Sequence, residues 1–151
     1  MSVLFSSASV EWATPVDLYD RLNAEFNFDL DAAAAPHNAK HTNYLTNCLE
    51  GDWDAKTAFM NPPWGRSIGH FIKKAYEQSR RGITVVCLLP SCTDTKWWRD
   101  YVWKAAEIRL ITGRLRFIRD DGHTGPSTKG ACLAIFASWS EGPPAVKMGV
   151  R

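Results

Sequence analysis

Asn61-Pro62-Pro63-Trp64 is the stretch whose residue types can do chemistry at a single point. Two consecutive prolines hold the backbone in an extended turn and remove two N–H donors. The Pro62 carbonyl is then a rigidly held acceptor with little local competition, and the Asn61 side-chain carbonyl is a second. Two neighbouring acceptors can take both protons of an exocyclic amino group, pulling its nitrogen toward tetrahedral geometry and exposing a lone pair. Trp64 offers a flat face on which a planar base can stack, worth roughly 1–3 kcal/mol per base. These parts suit methyl transfer to a weakly nucleophilic amine, where positioning and electrostatics do most of the work. Neither a metal nor a covalent nucleophile is needed, and in a duplex the base must first be flipped out of the stack. The plainer reading is a Pro-rich turn followed by a core Trp. The position of the tetrapeptide, after a short apolar strand and before a capped helix, argues for a site.

Other candidates are weaker. His37 and His41 have the i, i+4 spacing of metal ligands, but no third ligand stands out, so they read as ordinary polar histidines and no metal is expected. Ser91 and Cys92 follow a strand yet lack the glycines of a nucleophile elbow, which disfavours a hydrolase. Trp97 and Trp98 are expected to face different surroundings, one in the core and one nearer the rim. Arg66 follows the Pro-Pro turn and can meet a phosphate. Arg114, Arg116 and Arg119 are read as an alternating, phosphate-contacting edge on a strand or hairpin.

The elements that would position these residues follow from punctuation and periodicity. Thr14-Pro15 is a helix start, Thr as cap and Pro at the first helical position, with Leu18, Tyr19, Leu22 and Phe26 on one face through about residue 25. Phe26 to Asp31 reads as a short strand ending on a carboxylate, and Ala32 to Lys56 as mostly loop. Thr57 to Met60 is a strand running into the Pro-Pro turn. Ser67 is expected to cap a helix with Ile68, Phe71, Ile72 and Ala75 inward and Gly82 after its end. Ile83 to Leu89 is a central parallel strand buried on both faces, ended by Pro90. Thr93 or Asp94 caps a third helix. Glu107 to Thr112 and Ala131 to Ser138 are strands, and the tail from Glu141 reads as frayed, like the first ten or so residues. The fold class is therefore α/β, a shortened, mostly parallel open sheet with an antiparallel edge. In such sheets ligands bind beyond the carboxyl ends of the strands, which puts Asp31, Asn61 and Ser91 on one rim.

Composition bounds the rest. The 151 residues are 45% hydrophobic, 23% charged and 12% aromatic, as expected of one globular domain. The N-terminus has neither the cations nor the apolar run of a signal peptide or anchor, and Cys48, Cys87, Cys92 and Cys132 form no zinc spacing. A reduced, cytoplasmic protein without a membrane partner is the expectation. Charge is uneven within a net of +2: residues 1–60 hold three basic and nine acidic side chains, residues 61–151 fifteen basic and seven acidic. A basic half can attract a polyanion while the acidic half binds something else.

Several motifs in order resemble the phage-type (Dam-like) DNA N6-adenine methyltransferases over roughly Glu11 to Phe117. They are Glu11-Trp12-Ala13-Thr14-Pro15, Phe28 to Ala34, Gly51-Asp52-Trp53, Phe59 to Gly65, Leu88-Leu89-Pro90, Thr93 to Trp98 and Gly113 to Phe117. The resemblance implies a Rossmann-like sheet, S-adenosylmethionine as methyl donor and adenine N6 in DNA as acceptor. It implies that Asn61, Pro62, Pro63 and Trp64 hold the target base. Trp12, Thr14, Pro15, Asp31, Ala33, Asp52 and Asn61 would meet the cofactor, and Arg66, Arg114, Arg116 and Arg119 the DNA. The chain departs from the usual cofactor domain in having four alanines and Pro36 after Asp31, with no glycine until Gly51. Only about thirty residues separate Asp31 from Asn61, so a strand–helix unit is shortened or missing. No acidic residue stands plainly at a ribose position; Glu50 comes nearest. RNA adenine, a protein glutamine amide, or non-catalytic DNA binding on the same fold are the competing readings. Either a monomer or a homodimer is compatible with the length.

Overall fold

The computed structural model describes residues 13–118 and 122–149. Helix α1 (Val16–Phe26) ends on Asn27, whose φ of 54° is the left-handed conformation that asparagine tolerates at a helix end. Because the helix runs through Phe26, the strand after it shrinks to β1 (Leu30–Asp31). Strand β2 (Thr57–Met60) leads into the Pro-Pro turn, and α2 (Ile68–Arg80) returns the chain to β3 (Thr84–Pro90). Gly82, at φ 101°, makes the reversal between them, a backbone angle that a side chain would strain. A short helix α3 (Lys96–Asp100) and a 3-10 turn (Val102–Lys104) precede β4 (Glu107–Ile111). The hairpin β5 (Arg116–Ile118) and β6 (Thr124–Pro126) follows, then β7 (Ala131–Phe136) and β8 (Ala145–Gly149).

Six strands form one sheet in the order β1-β2-β3-β7-β4-β8. Five run the same way, and β7 runs against them between β3 and β4. So β3 is parallel to β2 and antiparallel to β7, and it is buried on both faces as its apolar run suggested. The two-residue alternation of strand side chains divides the core. Val85, Cys87 and Leu89, with Ala58 and Met60, pack under α2 and α3; Val86 and Leu88, with Phe59, pack under α1. On the α1 side Tyr19 meets Phe59 edge-on at 5.3 Å. The result is a three-layer α/β/α arrangement whose strand ends are fixed from both faces.

Three expected helix caps and the tail are corrected. Pro15, not Thr14, occupies the cap position of α1, and the Thr14 hydroxyl is engaged elsewhere. Ser67 sits at the start of α2 without a side-chain cap bond. Thr95, rather than Thr93 or Asp94, caps α3 by accepting from the Trp98 N–H at 3.2 Å. The tail is no frayed end over Ala145–Gly149: it pairs with β4 in parallel register. The long stretch after β1 is indeed loop, but a fastened one. Asp31 N–H donates to the Asn43 carbonyl at 3.0 Å, and Leu45 N–H donates to that of Asp31 at 3.0 Å. Among the described residues no helix is long and apolar enough to cross a membrane.

Candidate active site

A cavity of about 620 Å³ opens at the carboxyl ends of β1, β2 and β3. That is within the few-hundred to thousand Å³ typical of small-molecule sites. Asp31, from the end of β1, and Asn61, Pro62, Pro63 and Trp64, from the end of β2, all line it. So do Thr14, Ala33 and Arg66. The third expected rim residue, Ser91, does not line the cavity; its N–H donates to the Gly130 carbonyl at 2.9 Å, while its neighbours Pro90 and Cys92 face the cavity.

Each residue of the tetrapeptide is held. Pro62 and Pro63 are buried, so the turn is braced by packing as well as by its rings. Asn61 donates its side-chain N–H to the Thr14 hydroxyl at 3.0 Å, which makes the amide oxygen the opposite, acceptor end of the group. The Trp64 indole N–H donates to the Leu88 carbonyl at 3.3 Å, and its ring meets Phe117 of β5 at 5.3 Å and 76°. Trp64 is therefore anchored to β3 below and to the hairpin beside it.

Among the described residues Asp31 is the one acidic side chain lining the cavity, and it is only 4% exposed. Burial pushes its carboxyl up to about 6, against hydrogen bonds from the Lys40 and Ala33 backbone N–H groups and the nearby charges of Lys40 and His41. The Lys40 N–H reaches its carboxylate at 2.9 Å. A buried, incompletely compensated carboxylate is a good partner for a cationic ligand group. Lys40 and the exposed Arg66 and Lys129 supply the positive side of the same cavity.

Some expected residues lie elsewhere. Asp52 is exposed and lies near the starts of β2 and β3, the opposite end of the sheet from the cavity. There it accepts from Gln78 at 3.0 Å and faces Arg81 at 3.5 Å, while Trp53 N–H bonds the same Gln78. Its acidity therefore serves the end of α2. Glu50 is exposed and does not line the cavity either. Pro15 does not line it but sets the start of α1 directly after Thr14. Arg114 and Arg116 are exposed on one side of the hairpin segment, with Leu115 and Phe117 inward. Arg119 lies outside the described residues, and three positions beyond Arg116 it breaks the alternation read for the three arginines. Trp12 is also outside them. Trp97 lines the cavity and Trp98 is buried in the core, the division expected of the pair.

Sequence reasoning passed over Asn38, Lys40, Thr95, Thr128 and Lys129, which also line the cavity. Nothing in a polar loop marks Asn38 or Lys40, because they reach the cavity only through the folding of that loop around Asp31. Among the described residues no cluster of three potential metal ligands occurs.

The family model described as DNA N-6-adenine-methyltransferase (Dam) matches residues 2–148. A relative from Haemophilus phage HP1 (strain HP1c1), named DNA N-6-adenine-methyltransferase, is 36% identical over 133 residues, covering 83% of this chain and 77% of the relative. With the match running nearly from end to end and the Asn-Pro-Pro-Trp turn set in a cavity at the strand ends, the chain belongs to the DNA N-6-adenine-methyltransferase (Dam) family.

Proposed function

We propose that this adenine-specific DNA methyltransferase uses S-adenosylmethionine as its donor and holds donor and target base together in the one cavity. The observation that carries the proposal is the shared cavity itself: a buried carboxylate, Asp31, and an amino-group acceptor set, Asn61-Pro62, line the same space from adjacent strand ends. The residues fit such a donor. Asp31 would meet its cationic amino group, and Ala33, Ala34 and Phe59 supply apolar wall. When bound, the donor supplies an electrophilic methyl group on a sulfonium.

The protein's part is orientation. The Asn61 amide oxygen and the Pro62 carbonyl accept the two protons of the adenine amino group, which turns the nitrogen lone pair out of conjugation with the ring. Trp64, fastened by Leu88 and Phe117, gives the extruded base a surface to stack on. The proton released after transfer passes to solvent. Arg66, which lines the cavity, and the exposed Arg114 and Arg116 would meet phosphates.

The test is transfer of labelled methyl from S-adenosylmethionine to unmethylated DNA by purified protein, with the modified base identified as N6-methyladenine. Asn61→Ala should lower kcat by about 10²–10³, the cost of losing one preorganised hydrogen-bonding partner. Folded protein that transfers nothing, or an N61A variant as fast as the parent, would end this reading.

A further inference from the structure

The geometry points to Thr14 as a positioning residue that holds the Asn61 amide in place for the target amino group. An asparagine amide has an acceptor end and a donor end of nearly equal size, and only the acceptor end can take a proton from an exocyclic amine. Turned over, the same side chain would oppose N–H to N–H. The amide must therefore be held in place, acceptor end outward, before the base arrives, and a hydroxyl, which can donate as well as accept, fixes its place. The Thr14 hydroxyl, 47 positions away in sequence, accepts the Asn61 side-chain N–H at 3.0 Å. Thr14 is only 4% exposed, so water does not compete freely for that bond.

The placement of the hydroxyl is itself fixed from two sides. Just before it, Ala13 N–H donates to the Ile118 carbonyl at 2.9 Å, tying the chain to hairpin strand β5. Just after it, Pro15 has φ −54° and opens α1, where Tyr19 N–H donates to the Pro15 carbonyl at 3.1 Å. The same strand β5 carries Phe117 against Trp64. Asn61 and Trp64 are thus held by one framework, through Thr14 and through Phe117.

This inference rests on the methyl-transfer reading, and the experiment separates the two. Steady-state and single-turnover methylation of unmethylated DNA are compared for the wild type, Thr14→Val and Thr14→Ser, with thermal midpoints and S-adenosylmethionine dissociation constants measured in parallel. Valine keeps the shape and removes the acceptor; serine keeps the acceptor. The expected result is a 10- to 100-fold fall in kcat for T14V, larger than any change in its cofactor dissociation constant, with the KM for DNA within about twofold of wild type. T14S should recover to within about threefold. If T14V does not fold, Thr14→Ala takes its place in the same comparison. A kcat within twofold for the hydroxyl-less variant overturns the inference. So does a loss that falls on cofactor affinity instead, or one that serine does not repair. A wild-type protein with no transfer at all would instead remove the functional reading beneath it.

Discussion

Asp31 shows how a site residue is held in a state that stability alone would not choose. Its carboxyl is raised to about 6 in the folded protein, first by burial, from an ordinary value of 3.8. Between those two values the folded chain binds more protons than the unfolded one, so this residue's contribution to stability declines as pH rises. Above about pH 6 the ionised form stays as a standing cost of roughly 3 kcal/mol. A cationic ligand group beside it repays that cost, and the affinity for S-adenosylmethionine should therefore be full above pH 6 and fall as the pH drops through it. Titration calorimetry across pH 5–8 checks this; Asp31→Asn should bind at least tenfold more weakly and with a flatter profile. Asp52, bonded to Gln78 and Arg81 at the other end of the sheet, makes the contrast: D52A should leave the same dissociation constant within about twofold. Tyr19 has a buried hydroxyl with no partner among the described residues, so Tyr19→Phe should melt no lower than wild type, an unsatisfied buried O–H being a liability. The tetrapeptide was legible because proline, asparagine and tryptophan carry their chemistry in their types. Asp52 lies off the cavity, since an acidic residue near a motif says nothing about which end of a strand it will reach.

Among the elements, those with internal periodicity were legible and those built by a partner were not. α2 and β3 declare themselves by apolar spacing, and the boundaries of β2 fall where its residues change character. β8 does not, because Ala145–Gly149 is mostly exposed and follows Gly142-Pro143-Pro144, the composition of a tail. It becomes a strand because β4 offers an open ladder beside it. Side chains then fasten the seam. Arg109 of β4 bonds Glu25 of α1 at 2.7 and 2.5 Å and Glu107 at 2.6 Å, its guanidinium lies 5.4 Å from the Phe26 ring centre, and Lys147 of β8 reaches Glu107. These hydrogen bonds from Arg109 hold the Glu25 carboxyl below its usual range. Part of this network is open to water, which discounts it: Arg109→Met should cost about 1–2 kcal/mol. In a chain of this size that is a fall in Tm of roughly 3–8 °C. None of these residues lines the cavity, so activity per folded molecule should not change; a variant that melts normally but turns over slowly would contradict this.

At the scale of the whole molecule the uneven charge acquires a direction. Of the eight described acidic side chains in residues 1–60, only Asp31 lines the cavity, so bulk charge of the acidic half is not what a cationic ligand would meet there. One desolvated carboxylate would hold such a ligand where a field of exposed ones, screened by salt, would do so poorly. The basic half works the other way. Arg66, Lys129, Arg114 and Arg116 stay exposed, on the Pro-Pro turn and along the hairpin segment whose Phe117 touches Trp64. Contacts of exposed cations with phosphates are long-ranged and independent of base sequence, and each releases counterions. The two arginines beside the hairpin, which line no part of the cavity, should therefore affect arrival on DNA and leave the chemical step alone. Replacing both Arg114 and Arg116 by alanine should weaken binding to all duplexes by a similar factor. It should also make the slope of log affinity against log salt shallower by about 2, at roughly 0.9 per phosphate contact. The kcat at saturating DNA should stay within about twofold. Binding isotherms at several salt concentrations, on duplexes of unrelated sequence, measure the slope directly. An unchanged slope would mean that this edge faces solvent in the complex, and that the DNA lies over Arg66 and Lys129 alone.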